Sequence, residues 1–196
     1  LIKNIEGWSP LEFVKLREWD SFNSTSGFIN IKLPIIPRHV VISHTATPQC
    51  VYKNDCEFEL SYSISRPERK DASPEVFANF YIGGDGRVYI GRDWESIGVN
   101  NFGCEQRTPI IEISLIGHFR YSQFSKKQFL ATQQLLEEGI LNKKISYDYE
   151  LHGVWQLVNN ITPSNMSNIA STITNWLHWS SNSLQCLTSI SENSIE

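Results

Sequence analysis

Short apolar runs alternate along this chain with longer stretches in which apolar residues recur every three or four positions. Residues 39–43 form a β-branched run, His-Val-Val-Ile-Ser, of the kind a buried strand needs. Residues 110–116 form a second. Phe80–Ile82 and Val88–Ile90 flank Gly83-Gly84-Asp85-Gly86, a turn sequence whose glycines accept positive φ, so this stretch predicts a β-hairpin. A helical period follows Ser125, where Phe129, Leu130, Leu135, Leu136 and Ile140 form an amphipathic pattern and Ser125 with Gln128 makes a capping-box signature. A shorter helix is predicted over residues 56–66, capped by Asn54 or Asp55 and stopped by Pro67. A last helix starts at Ser164 or Asn165 and runs through Ile169, Ile173 and Trp176. Strands interleaved with helices predict an α/β domain, a central mixed β-sheet flanked by about three helices.

Residues 36–179 carry this pattern. Residues 1–35 hold Trp8, Phe13, Leu16 and Trp19 before a Ser/Asn/Gly-rich loop, and predict a segment packed on the domain. Residues 180–196 are rich in Ser and Asn and predict a flexible tail. A length of 196 residues, 40% hydrophobic and 19% charged, suits one domain with a substantial core. The net charge of −4 argues against a nucleic-acid partner, which needs clustered Lys and Arg. No apolar run nears the ~20 residues of a membrane span, and the chain opens without a signal-peptide pattern, as expected of a fragment from which any targeting segment has been removed. Four cysteines and three glycosylation sequons, at Asn23, Asn160 and Asn165, favour an extracellular setting. Cys50 and Cys56 bracket a short polar stretch that would close into a small disulfide loop, with two free thiols as the alternative. For Cys104 and Cys186, pairing and free thiols both stay open.

Metal chemistry has little local support. Catalytic zinc takes three protein ligands and keeps an open water position. The five histidines are His39, His44, His118, His152 and His178, and no two stand at i, i+4 on a helix. His39 and His44 lie five apart in a predicted strand, so they face opposite ways. Ser43 and His44 are strand neighbours and also diverge, and no G-x-S-x-G elbow occurs, so a Ser–His nucleophile is unsupported.

Longer strings do carry a resemblance. Pro37-Arg38-His39-Val40-Val41-Ile42-Ser43-His44-Thr45-Ala46-Thr47-Pro48, Tyr81-Ile82-Gly83-Gly84-Asp85-Gly86-Arg87-Val88-Tyr89-Ile90-Gly91-Arg92, Ile113-Ser114-Leu115-Ile116-Gly117 and Trp176-Leu177-His178-Trp179 together resemble the peptidoglycan-recognition protein (PGRP) domain. That domain is related to zinc amidases that cut peptide stems from glycan, and the likeness, covering most of residues 8–179, implies their fold. Catalytic members carry V-I-H-H-T-A-T, whose first His binds zinc; Ser43 stands at that position. The catalytic Tyr lies two residues before the Phe of Y-N-F-x-I-G-G-D-G, where this chain has Ala78. The second zinc His, in L-x-G-H-R-Q, is matched by Val154, and the last ligand, a Cys before Pro-Gly, by Thr162. With every one of these positions replaced, the resemblance implies no catalysis, no bound metal and no cofactor. The competing enzyme reading is a residual hydrolase with His44 and His152 as substitute ligands.

Non-catalytic members of this family bind peptidoglycan and signal. Those selecting diaminopimelic-acid (DAP) stems generally carry Gly-Trp where this chain has Ala72-Ser73, and Arg66-Pro67 replaces a Tyr-His pair that often lines the cleft. The stretch between Gly98 and Gly117 is also longer than the family pattern G-A-H-x-x-G-x-N-x-x-S-I-G-I-S-F-I-G. The likeness is strongest to one isoform of an insect membrane receptor of this family. It implies an extracellular innate-immune co-receptor that pairs with another PGRP isoform presenting a monomeric muropeptide such as tracheal cytotoxin. Candidate contacts are His44, Arg66, Trp94, Asn100, Asn101, Arg107 and Trp155, the two Trp being equally apt for the core. The alternative is a receptor binding DAP-type peptidoglycan directly through a modified groove.

Overall fold

The computed structural model describes residues 9–20, 35–64, 76–96, 109–123, 125–158, 161–182 and 184. Six strands form one sheet: β1 (Phe13–Val14), β2 (His39–His44), β3 (Phe80–Ile82), β4 (Val88–Ile90), β5 (Ile110–Leu115) and β6 (Glu150–Gly153), in the order β1-β4-β3-β5-β2-β6. The β3–β4 hairpin is antiparallel and the other pairings are parallel. Among the described residues there are four α-helices: α1 (Leu16–Trp19), α2 (Lys53–Ile64), α3 (Lys126–Leu141) and α4 (Ser167–Ile173). This is the mixed sheet with flanking helices that the sequence predicts. The central strands β2 and β5 are buried over most of their length, which explains their near-continuous apolar runs.

The hairpin glycines have two jobs. Gly86 takes the turn at φ +89°. Gly84 admits a close approach instead, because a Cβ there would lie 2.0 Å from the Cys50 carbonyl oxygen. Cys50 and Cys56 are joined as a disulfide that seats the start of α2 against this turn. Beside it, Asp85 accepts from the Tyr89 hydroxyl at 2.9 Å and pairs with Arg87, which also reaches Glu12 at 2.8 Å. Residues 12–14 are thereby fastened to β4.

Helix ends depart from the sequence reading in two places. Helix α2 begins at Lys53, so Asn54 and Asp55 sit in its first turn and do not cap it. The last helix is broken: a 3-10 turn, Pro163–Met166, precedes α4, which ends before Trp176. For α3 the cap is as predicted, with Ser125 Oγ accepting from the Gln128 N–H at 3.1 Å. Gln128 does not complete the box. Its buried amide donates to the carbonyls of Ile82 and Ile116, at 3.1 Å each, and ties α3 to the sheet.

The sequence pattern predicts neither β1 nor β6, and the first residues of the segment it reads as a tail are hydrogen-bonded to the domain. Ser180 N–H donates to Leu151 O at 2.9 Å, and Gln156 donates to Ser180 O at 2.8 Å. One parallel bridge, Leu151 with Trp179, joins this segment to β6, and Gln156 holds Ser180 and Asn182 beside it.

Candidate functional site

Register divides the side chains of the sheet into two sets, because paired residues in parallel strands point to the same face. One face carries Val40, Ile42, Phe80, Ile82, Val88, Ile111, Ile113 and Leu115, all buried against the layer of Leu135, Leu136, Ile169 and Ile173 from α3 and α4. The opposite face is polar. Across it Tyr81, Ser114 and Ser43 form one row, Glu112, Val41 and His152 the next, and Ile110, His39 and Glu150 the third. Trp19, Cys56 and Leu60 of α1 and α2 cover the Tyr81–Tyr89 side, but that cluster takes no residue from β2 or β6.

The Ser43 row lies near the carboxyl ends of parallel strands, where ligands bind in open α/β sheets. Ser43 Oγ donates to Glu112 Oε1 at 2.5 Å. Burial pushes the Glu112 carboxyl up to about 7, against the opposing pull of the Ser43 hydroxyl. Glu112 also receives support through its backbone, whose N–H donates to Asn79 Oδ1 at 2.9 Å. Beside it the Tyr81 hydroxyl accepts from the backbone N–H of Phe77 and of Ala78, at 3.2 Å each, and burial raises its pKa.

About four residues back along β2, or ~13 Å at the usual strand rise, is a second polar group. His39 Nδ1 lies 3.2 Å from His152 Nε2, and Glu150 Oε2 lies 3.8 Å from the same nitrogen. Burial lowers both imidazoles, His152 to about 4, so the pair is neutral at pH 7.

The four positions that the resemblance assigns to amidase chemistry hold a donor set that does not fit zinc. Ser43 Oγ is committed to Glu112, and Thr162 Oγ1 donates to Asn165 Oδ1 at 2.7 Å. Val154 and Ala78 are buried and offer no donor. The family pattern has Gly where Glu112 stands, so a carboxylate fills the floor beside the first ligand position.

Comparisons with known proteins identify the family. Residues 33–174 match the N-acetylmuramoyl-L-alanine amidase family. Peptidoglycan-recognition protein SC1a of Drosophila melanogaster is 30% identical over 142 residues, covering 72% of this chain and 75% of the relative. The chain belongs to the peptidoglycan-recognition proteins of the amidase family. Peptidoglycan-recognition protein LC of Drosophila melanogaster is 28% identical over 91% of this chain, which spans 34% of that relative's length. Peptidoglycan-recognition protein 3 of Holotrichia diomphalia is 33% identical, and 61% of its length is spanned. A solved complex of tracheal cytotoxin with the LCa and LCx ectodomains of PGRP-LC contains a chain 31% identical to this one. It superposes with a TM-score of 0.73 over 87% of this chain and 99% of that one.

Several candidate contacts of this PGRP domain change place. His44 faces the α3 side, away from Ser43; its Nδ1 accepts from the Phe119 N–H at 3.2 Å. The substitute ligand pair His44 and His152 is therefore not formed, since the two occupy opposite faces. Trp94 is half-buried and packs on the core, its ring 4.4 Å from that of Phe80 and against Gly139 of α3. Trp155 is half-buried, lies over Gly153 at the end of β6 and meets Trp179 at 6.1 Å. Asn165 is half-buried, and its Oδ1 accepts from Thr162 at the 3-10 turn. Arg66, Asn100, Asn101, Arg107, Asn23, Asn160, Cys104, Cys186 and the Ala72-Ser73 pair lie outside the described residues. Sequence reading misses Glu112, although a charge inside Ile110-Ile111-Glu112-Ile113 is its signal.

Proposed function

We propose that this chain is the extracellular recognition domain of a non-catalytic innate-immune receptor, acting as co-receptor to a PGRP isoform that presents a monomeric muropeptide. The observation that carries this reading is the Ser43–Glu112 hydrogen bond, which closes the floor where an amidase would hold its first zinc ligand. Val154 and Thr162 supply no replacement. A hydrolase of this family needs a metal-activated water at that place, and the residues of this floor do not supply its ligands. The pairing mode is supported by the likeness to the chain from the LCa and LCx complex with tracheal cytotoxin. No helix among the described residues is long and apolar enough to cross a membrane, in keeping with an ectodomain.

A second reading, direct capture of DAP-type peptidoglycan, draws on the polar face of the sheet. PGRP-LE has been solved in complex with tracheal cytotoxin, and it is 25% identical to this chain. One titration separates the two readings. The isolated domain should take up tracheal cytotoxin weakly, and markedly better once an LCx-type ectodomain is added. Micromolar or tighter binding without a partner would overturn the co-receptor role, and release of stem peptide from peptidoglycan would overturn the non-catalytic one.

A further inference from the structure

Among the described residues, one cluster of His, Cys, Asp or Glu side chains converges closely enough to hold a metal ion: His39, Glu150 and His152. It belongs to neither the Ser43 floor nor the amidase ligand positions. We propose that these three side chains form a binding site for a divalent transition metal of the zinc type, spanning β2 and β6.

The geometry supports this in three ways. All three ligand atoms lie within 4.8 Å of one another. Tetrahedral zinc with Zn–N bonds of about 2.0–2.1 Å sets neighbouring ligand atoms roughly 3.3–3.4 Å apart. The His39 Nδ1 to His152 Nε2 separation of 3.2 Å meets that span, and the 3.8 Å to Glu150 Oε2 closes with a small change of rotamer. Second, the backbone already holds the ligands in place. His39 is the register partner of Glu150, and His152, two residues further along β6, shares their face. Little conformational freedom is left to lose on binding. Third, two imidazoles and one carboxylate are a donor set that suits zinc, and three protein ligands leave a fourth position open. His39 and Glu150 are half-exposed, so that position faces the solvent side.

The alternative is a plain hydrogen bond between two imidazoles. In either arrangement the buried Nδ1 of His152 can carry the proton, so zinc uptake is what separates the two. The site would staple β2 to β6 and to the chain segment that follows Trp179.

The test uses the whole domain, free of any histidine tag and stripped with EDTA. Calorimetric titration with Zn(II), with metal content measured by mass spectrometry, should give one zinc per chain and raise the melting temperature. His39→Gln and Glu150→Gln change half-exposed positions, so the fold should persist by circular dichroism. Each should weaken zinc binding by roughly tenfold or more. Absence of saturable one-to-one uptake would overturn the proposal. So would uptake that is unchanged in both variants, because the zinc would then sit elsewhere.

Discussion

The two faces of the central sheet solve different problems with the same strands. Under α3 and α4, Phe80, Ile82, Ile113, Ile42 and Leu135 pack without a charged group among them. On the opposite face Ser43, Glu112, His39 and His152 stand on the same strands, one residue out of phase. A period of two lets each strand serve a core and a polar surface at once. The lesson is that stability and chemistry are separable here: the first face carries the fold, and the second stores polar groups whose protonation depends on burial.

The sharpest way to break that division is to cut into the first face. Phe80 is fully buried and packs on Trp94. Phe80→Ala should cost about 3–5 kcal/mol of unfolding free energy, read by urea denaturation. A loss below about 1 kcal/mol, far under that range, would mean that this face does not carry the fold.

The polar face should reveal itself through pH. Glu112 rises from 4.5 to about 7 on folding, so the folded state binds more protons in that window and stability falls as pH increases through it. His152 drops from 6.5 to about 4, so the folded state binds fewer protons and stability increases with pH from about 4 to 6.5. Each swing is on the order of 3–4 kcal/mol, since a tenfold change in proton affinity is worth about 1.4 kcal/mol. Their signs oppose, so the two contributions should largely cancel between pH 4.5 and 6.5. Glu112→Gln should uncover the rise due to His152, and His152→Gln should uncover the fall due to Glu112. Equal slopes in all three proteins would show that neither group is perturbed.

Legibility follows the same division. The apolar face can be read locally, because the runs in β2 and β5, the hairpin glycines and the Ser125 cap are each encoded within a few residues. The polar face cannot. His39 and His152 are 113 positions apart and meet only through the parallel pairing of β2 with β6, a strand too short and too mixed to show a period. His44 is hard to place for a related reason: strand alternation correctly turns it from Ser43, but only the helices decide which face forms the groove. Trp94 is ambiguous in sequence because an indole suits a core and an interface equally. In the fold one side of it packs against Phe80 while the residue stays half-exposed.

The mildest perturbation is also the finest probe of the proposed closed floor. Ser43→Ala removes the hydroxyl that donates to Glu112 Oε1 and leaves the sheet register untouched. At pH 5 Glu112 is protonated in the folded state, so the loss should be that of a neutral hydrogen bond, about 0.5–1 kcal/mol. At pH 8 the carboxylate is charged and the lost bond was charge-assisted, so the cost should be roughly twice as large. The same substitution removes the one interaction that holds the carboxyl down, and Glu112 should then titrate above its present value of about 7. Carbon-detected NMR of the Glu112 carboxyl would follow that change directly. A pKa unchanged by Ser43→Ala would mean that the hydroxyl and the carboxylate are not coupled, and the observation on which the non-catalytic reading rests would be lost.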